Sequence, residues 1–181
     1  MPYQPEGLWE DIAGGAGQGP YVVAKGEDLY RRTLYTYRKR TVPHPLTSTF
    51  DAPSFEICRA MRARTNTPLQ ALALLNDVTY VEAARNLAQR MLREANSHDG
   101  SPLRFGFRLV TGRYPALDEE QMLQGGLAKF IATYQADADA AKALITNGQS
   151  PVPADLDPPT LAAYTTLAGV MLNLDETITE E

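Results

Sequence analysis

The sequence has little of the chemistry on which most catalytic and metal sites depend. Its single cysteine, Cys58, excludes an internal disulfide, a four-cysteine zinc site and a Cys-x-x-Cys-His haem attachment within these residues. Its two histidines, His44 and His98, are too few for most histidine-rich metal sites, so no metal is predicted. The apolar step "FEIC" favours a buried, inert Cys58 over a catalytic pair with His44. His98, in "EANSHDG", is predicted to be a solvated loop histidine.

Several longer signals are also missing. The sequence contains no His-Glu-x-x-His, no phosphate-binding glycine loop and no Gly-x-Ser-x-Gly elbow, so it supplies no complete catalytic set. No apolar run approaches the roughly 18 residues of a membrane span. The first twenty residues have neither the basic start nor the apolar region of a signal peptide. We therefore expect no membrane span and no signal peptide in this chain. The same absences favour a non-catalytic chain over an enzyme, and they leave the choice open.

Charge is distributed unevenly along the chain. The formal net charge of −5 gives no overall case for nucleic-acid binding. From Arg31 to Arg64, however, eight basic and two acidic residues give a net charge of +6, which leaves −11 for the remainder. We call residues 31–64 the basic band. Such a band attracts anionic ligands or neutralises an acidic segment of the same chain, and the second interpretation is favoured.

Composition and periodicity predict a mostly α-helical protein. Residues 1–26, rich in proline and glycine, are predicted to form an extended leader from which Trp9 docks on the main body. Residues 27–181 are predicted to form one domain, a compact bundle of five or six helices. Residues 26–41 favour a helix over a strand, whereas the proline-rich residues 42–56 favour a loop.

Local signals predict where the later helices begin. Thr67, Pro68 and Gln70 form a capping box before a helix that is apolar on nearly every side and is therefore expected to be buried. Thr79 and Glu82 supply a second capping box. Further starts are predicted at Pro102, Asp118 and Asp157, and Gly112 is predicted to end a helix. Gly125-Gly126 indicates a kink or close packing.

The first of these helix starts is also a candidate anion site. Arg62, Arg64 and Asn66 precede Thr67 and Gln70, where backbone N–H groups and the helix dipole favour negative charge. The ligand would be an external carboxylate, sulfate or phosphate. The alternative is docking of the chain's own acidic tail through Asp175 and Glu176, which we favour because covering a helix end is an ordinary structural need.

Long motifs carry a family resemblance. The stretches "RARTNTPLQALALLND", "GRYP" and "LNLDETITEE", in this order, resemble the C-terminal PSD-one domain, a planctomycete-specific domain of unknown function. The resemblance runs from about Tyr3 to Glu181. The family occurs in large planctomycete and verrucomicrobial proteins that also carry cytochrome c-like domains. It implies no catalytic role for the residues that match its motifs, which are Arg64, Thr65, Asn66, Thr67, Pro68, Gln70, Asn76, Asn173, Asp175 and Glu176.

The resemblance implies context more than chemistry. Such proteins usually begin with a signal peptide and a haem-attachment motif, and they are often encoded beside secreted sulfatase-like proteins. By this resemblance the chain is a C-terminal fragment of a parent exported to the periplasm or cell surface. Its partners would be the parent's upstream domains, sulfatase-like proteins or an anionic polysaccharide. Haem c would belong to the parent's N-terminal region, and no cofactor is expected in this chain.

Three functions therefore stand as hypotheses. The first is a non-catalytic interaction or scaffold module of a cell-envelope protein linked to polysaccharide use. The second is a domain that binds anionic, sulfated polysaccharide through the basic band, where tyrosines stack on sugar rings and arginines meet anions. The third is part of a hydrolase or redox enzyme whose site is shared with other domains. The candidate glycan-binding residues are Tyr30, Arg31, Arg32, Tyr35, Tyr37, Arg38 and Arg40.

Overall fold

The computed structural model describes residues 3–4, 7–8, 22–39, 42–53, 58, 60–61, 63–98 and 100–179. The chain forms two compact units, Met1–Gln70 and Ala71–Glu181. The described residues are mostly α-helical and include no strand, which confirms the predicted fold class. Most of the predicted leader, including Trp9, lies outside the described residues, so its docking and the boundary at residue 26 stay predictions.

The first unit contains short helical turns. Two 3-10 helices, Gly26–Tyr30 and Thr33–Tyr35, are followed by helix α1, Pro45–Thr49. The single longer helix predicted for residues 26–41 is wrong over its described part, because the backbone is extended at Arg31, Arg32 and Thr36. Aromatic and β-branched residues alternate here, and both types lose side-chain freedom in a helix. The purely irregular loop predicted from residue 42 is interrupted by α1, which Pro45 begins at the first helical position.

The second unit is a helical bundle. Its helices are α2 (Pro68–Asn76, whose first turn precedes Ala71), α3 (Val78–His98), α4 (Pro102–Thr111), α5 (Leu117–Ala136), α6 (Ala138–Ile145), α7 (Pro158–Leu172) and α8 (Asp175–Ile178). Helices α3, α5 and α6 all pack against α7. Leu161, Leu167 and Met171 of α7 are buried, and they join Met91 and Phe107 in one apolar core. Of the eight α-helices in the described residues, α2–α7 have eight or more residues each, whereas α1 and α8 have five and four.

The predicted helix boundaries are confirmed where neighbouring residues determine them. Asp157 accepts a hydrogen bond from the Thr160 N–H at 3.1 Å ahead of Pro158, and Gly112 ends α4 in the left-handed region at φ 77°. Helix α5 differs, since it begins at Leu117, one residue before Asp118. It runs uninterrupted through Gly125, where an added Cβ would meet nothing within 4 Å. The predicted close packing is therefore wrong at Gly125, whereas a Cβ added to Gly126 would meet Cε2 of Phe130 at 4.0 Å.

Helix α2 is less buried than its composition indicates. Leu74 is 7% exposed, whereas Leu69, Leu72 and Leu75 are 60%, 58% and 47% exposed. The expectation of burial on every side is wrong, because an all-apolar pattern does not say which faces have neighbours. In the described part of the chain, no helix is long and apolar enough to cross a membrane.

Candidate functional site

The polar start of α2 forms the predicted capping box. The Thr67 N–H donates to Oε1 of Gln70 at 2.8 Å, and the Gln70 N–H donates to Oγ1 of Thr67 at 3.3 Å. Two backbone donors at the helix start are thereby satisfied by side chains. Gln70 is only 1% exposed, whereas Thr67 is half-buried and Pro68 is exposed, so the Gln70 end of the box is the buried one.

A carboxylate of the same chain lies directly before this helix start. Asp51 accepts hydrogen bonds from the Thr65 N–H at 2.8 Å and from the Thr65 hydroxyl at 2.7 Å. The side-chain amide of Gln70 donates to the Thr49 carbonyl at 2.9 Å, which fixes the loop that carries Asp51. Asp51 itself adopts φ 56°, a left-handed conformation that aspartate tolerates better than most residues. We call Thr49, Asp51, Thr65, Thr67 and Gln70 the helix-start node.

The other residues predicted for this site lie as follows. Arg64 and Asn66 are exposed beside the helix-start node in sequence, and Arg62 is outside the described residues. Asp175 begins α8 in the second unit. Glu176, also on α8, pairs with Arg113 at 3.1 Å. Docking of the acidic tail on the start of α2 therefore stays a prediction. Glu176 already has a cationic partner, Arg113, within the second unit.

Arg113 is a residue that the sequence did not single out. Its guanidinium pairs with Glu119 at 2.7 Å as well as with Glu176, and it lies over the Phe107 ring at 4.9 Å from the centroid. Hydrogen bonds from Arg113 and then from the Ala116 N–H lower the pKa of Glu119 to about 2. The two carboxylates raise the pKa of Arg113, mainly because Glu119 accepts hydrogen bonds from its guanidinium. This cluster joins the α4–α5 connection to α8.

A buried ion pair holds the connection between α6 and α7. Glu82 and Arg85 are 2% and 1% exposed and lie 3.6 Å apart. Arg85 donates to the carbonyls of Ile145 at 2.5 Å and Ser150 at 2.8 Å, and to the Ser150 hydroxyl. Glu82 accepts the Ser150 N–H at 2.5 Å. A Cβ added to Gly148 would overlap the Glu82 carboxylate. We call this set the Glu82–Arg85 latch.

The latch corrects the predicted second capping box. The start of α3 is capped by Asp77, whose carboxylate accepts the Thr79 N–H at 2.9 Å, so Thr79 and Glu82 do not form the box. Glu82 faces the residue 147–150 loop instead, where its charge is compensated by Arg85. The signal that could have found the pair is a Glu-x-x-Arg spacing next to the buried Ala84 and Ala88 of the same helix.

Large apolar and aromatic side chains are exposed between residues 30 and 37, which we call the aromatic segment. Tyr30, Leu34, Tyr35 and Tyr37 are 54%, 79%, 66% and 50% exposed. This group contains three of the seven predicted glycan-binding residues. The remaining four, all arginines, differ in exposure and pairing. Arg31 pairs with Asp28 at 2.6 Å, and Arg32 is exposed. Arg38 is half-buried, and Arg40 lies outside the described residues.

Cysteine and histidine do not form a catalytic arrangement among the described residues. Cys58 is exposed, which corrects the prediction of a buried thiol. Nε2 of His44 hydrogen-bonds the Tyr3 carbonyl at 2.7 Å. His98 is the last residue of α3 rather than a loop residue, and its ring stacks on Phe105 with centroids 5.3 Å apart. No group of three or more His, Cys, Asp or Glu side chains within the described ranges could hold a metal.

The fold and these clusters define a small helical domain whose polar groups serve helix ends, loops and ion pairs. The family model of PSD1, described as "Protein of unknown function (DUF1553)", matches residues 1–127. The chain therefore belongs to the PSD1 family. No curated protein and no solved structure matches it. The match ends inside α5, so the resemblance of the "LNLDET" motif stays a prediction.

Proposed function

We propose that the chain is a non-catalytic interaction module of a larger cell-envelope protein, and that the aromatic segment is its contact surface. The supporting observation is the exposure of Leu34 and Tyr35, at 79% and 66%, on a short 3-10 helix. Clustered apolar groups of this kind are costly to leave in water and are typical of interaction sites. Tyrosine and arginine are also the side chains that most often dominate binding energy at protein interfaces.

The backbone presents these side chains in a defined turn. The Tyr35 N–H donates to the Arg32 carbonyl at 2.9 Å, and the Thr36 N–H donates to the Thr33 carbonyl at 3.1 Å. The Thr36 hydroxyl donates to the same Thr33 carbonyl at 2.7 Å. These bonds hold Leu34 and Tyr35 on one tight turn before any partner arrives. A preformed contact surface loses less conformational entropy on binding, which supports a binding role for the segment.

A random dodecapeptide library displayed on phage tests this proposal. The immobilised full chain should retain peptides that bind tenfold or more weakly to the double variant Leu34→Ser/Tyr35→Ser. Leu117→Ser is the matched control, since Leu117 is 75% exposed at the start of α5 in the other unit. Thermal unfolding checks that all three proteins fold alike. Recovery of no specific peptide, or equal binding to the double variant, would contradict the proposal.

A second candidate function is the binding of an anionic polysaccharide by the same segment. It is favoured by the exposure of Tyr30, Tyr35 and Tyr37 beside Arg31 and Arg32, since aromatic rings stack on sugars and guanidinium groups bind sulfate in a bidentate manner. Calorimetry with dextran sulfate and with uncharged dextran tests it. Binding of dextran sulfate alone, weakened by salt and by Tyr35→Ser, is the expected result. Equal or absent binding of both polymers would refute it.

A further inference from the structure

The aromatic segment lies in a locally basic part of an acidic chain. Residues 22–39 contain five basic residues, Lys25, Arg31, Arg32, Arg38 and Lys39, and two acidic ones, Glu27 and Asp28, for a net charge of +3. The chain as a whole has a net charge of −5. The formal charge of this segment therefore has the opposite sign to that of the whole chain, which favours an anionic partner.

Arg32 differs from Arg31 in its ion pairing. Arg31 is paired with Asp28 at 2.6 Å, whereas Arg32 is exposed and makes no ion pair with any described residue. Arg32 precedes the 3-10 helix that presents Leu34 and Tyr35, and its carbonyl accepts the first hydrogen bond of that turn. One cation, one aliphatic side chain and one aromatic side chain are thus presented together within four residues.

Leu34 discriminates between two kinds of anionic partner. A sugar polymer offers faces that stack on tyrosine, but a hydroxylated chain offers little apolar surface to an aliphatic side chain. Leu34 is 79% exposed, and covering it stabilises a complex most when the partner also removes apolar side chains of its own from water. Proteins combine carboxylates with such side chains in one segment, and carboxylates match the planar donor fork of Arg32.

We propose that the aromatic segment docks an acidic segment of a partner protein, in which a carboxylate pairs with Arg32 and a large apolar side chain packs on Leu34 and Tyr35. This inference rests on the proposed function and names the chemistry of the partner. Charge complementarity sets the sign of the bound segment, and the exposed apolar pair requires that the segment also carry an apolar anchor.

The composition of the selected dodecapeptides tests this inference separately from the proposed function. Peptides that bind the full chain should carry net negative charge and at least one large apolar residue. Their Kd should rise tenfold or more with Arg32→Glu and with Leu34→Ser. It should also rise as salt increases from 50 to 500 mM, and Leu117→Ser should leave it unchanged.

Each other outcome has a separate meaning. Selected peptides that need Leu34 and Tyr35 but are neutral or basic would overturn the acidic partner while the interaction module stands. Tight binding of dextran sulfate that is unaffected by Leu34→Ser, with no acidic peptide selected, would assign the surface to polysaccharide and overturn the inference. Recovery of no peptide specific for the segment would overturn the inference and contradict the proposed interaction module together.

Discussion

Replacement of Arg85 by methionine should be among the most damaging single substitutions in the second unit. Arg85 is 1% exposed and bonds to two carbonyls, Ile145 at 2.5 Å and Ser150 at 2.8 Å. Methionine fills similar space but leaves the Glu82 carboxylate buried without a compensating cation. Breaking a buried pair in this way costs about 3–5 kcal/mol. That loss is a large part of the roughly 5–15 kcal/mol that stabilises a typical domain.

A double-mutant cycle measured by urea unfolding tests the magnitude. The double variant Glu82→Met/Arg85→Met removes both charges. Its loss of unfolding free energy should therefore be smaller than the sum of the two single losses by about 2 kcal/mol or more. This should hold even though the Ser150 N–H then loses its acceptor. Arg90→Met is the matched control. Arg90 pairs with Glu94 on an exposed face of the same helix, and its loss should cost no more than about 1 kcal/mol. Additive single effects, or a cost below about 1 kcal/mol for Arg85→Met, would refute the reasoning.

Three further outcomes follow from the packing and charges of the second unit. Gly106→Ala should destabilise the protein by about 1–3 kcal/mol in urea unfolding, because the added Cβ would lie 2.6 Å from Sδ of the fully buried Met91; a neutral effect would contradict the close packing. The stabilisation that Glu119 gains from its lowered pKa should be complete above pH 4.5 and be lost as the pH falls towards about 2. Glu119→Gln should therefore flatten the loss of stability between pH 5 and pH 2.5 in urea unfolding, and an unchanged pH dependence would contradict the pairing with Arg113. A chain ending at residue 127 should show no cooperative thermal transition, because it lacks the buried face of α7; a sharp transition would mean that the matched part folds alone.

Helix boundaries in this chain were predictable where adjacent residues determine them. Asp157 followed by Pro158 satisfies an N–H within three positions, and Gly112 supplies the left-handed residue that ends α4. The Thr67 and Gln70 capping box is local in the same sense. Each of these needs only a few neighbouring residues, so the sequence carries the whole signal.

Burial was less predictable, because it depends on residues far away in the sequence. Helix α2 is apolar all round, yet only part of it finds neighbours, and Leu69 and Leu72 stay more than half exposed. Cys58 follows an apolar step but is exposed as well. Hydrophobicity gives the tendency of a side chain to be covered. Only the arrangement of the helices decides which side chains are covered.

The same reason explains the charged residues that the sequence did not reveal. Glu82 satisfies the Ser150 N–H from 68 positions away, and Arg113 reaches Glu176 across 63 positions. A capping interpretation of Glu82 was locally reasonable, but Asp77 already caps the same helix start. Spacing can nominate an ion pair on one helix, but it cannot indicate which distant loop the pair will hold.

The start of α2 shows how a local motif and a long-range contact combine. Its polar residues could have served an external anion, since exposed N–H groups and nearby arginines favour one. In the first unit, Asp51 supplies a carboxylate from 14 positions earlier and accepts both the N–H and the hydroxyl of Thr65. Gln70 completes the arrangement by closing the capping box with one end and bonding the Thr49 carbonyl with the other. An external anion would have to compete with an intramolecular carboxylate whose effective concentration is high. We therefore interpret the helix-start node as a structural cluster that fixes the loop before α2. Ligand binding is better sought at the exposed aromatic segment.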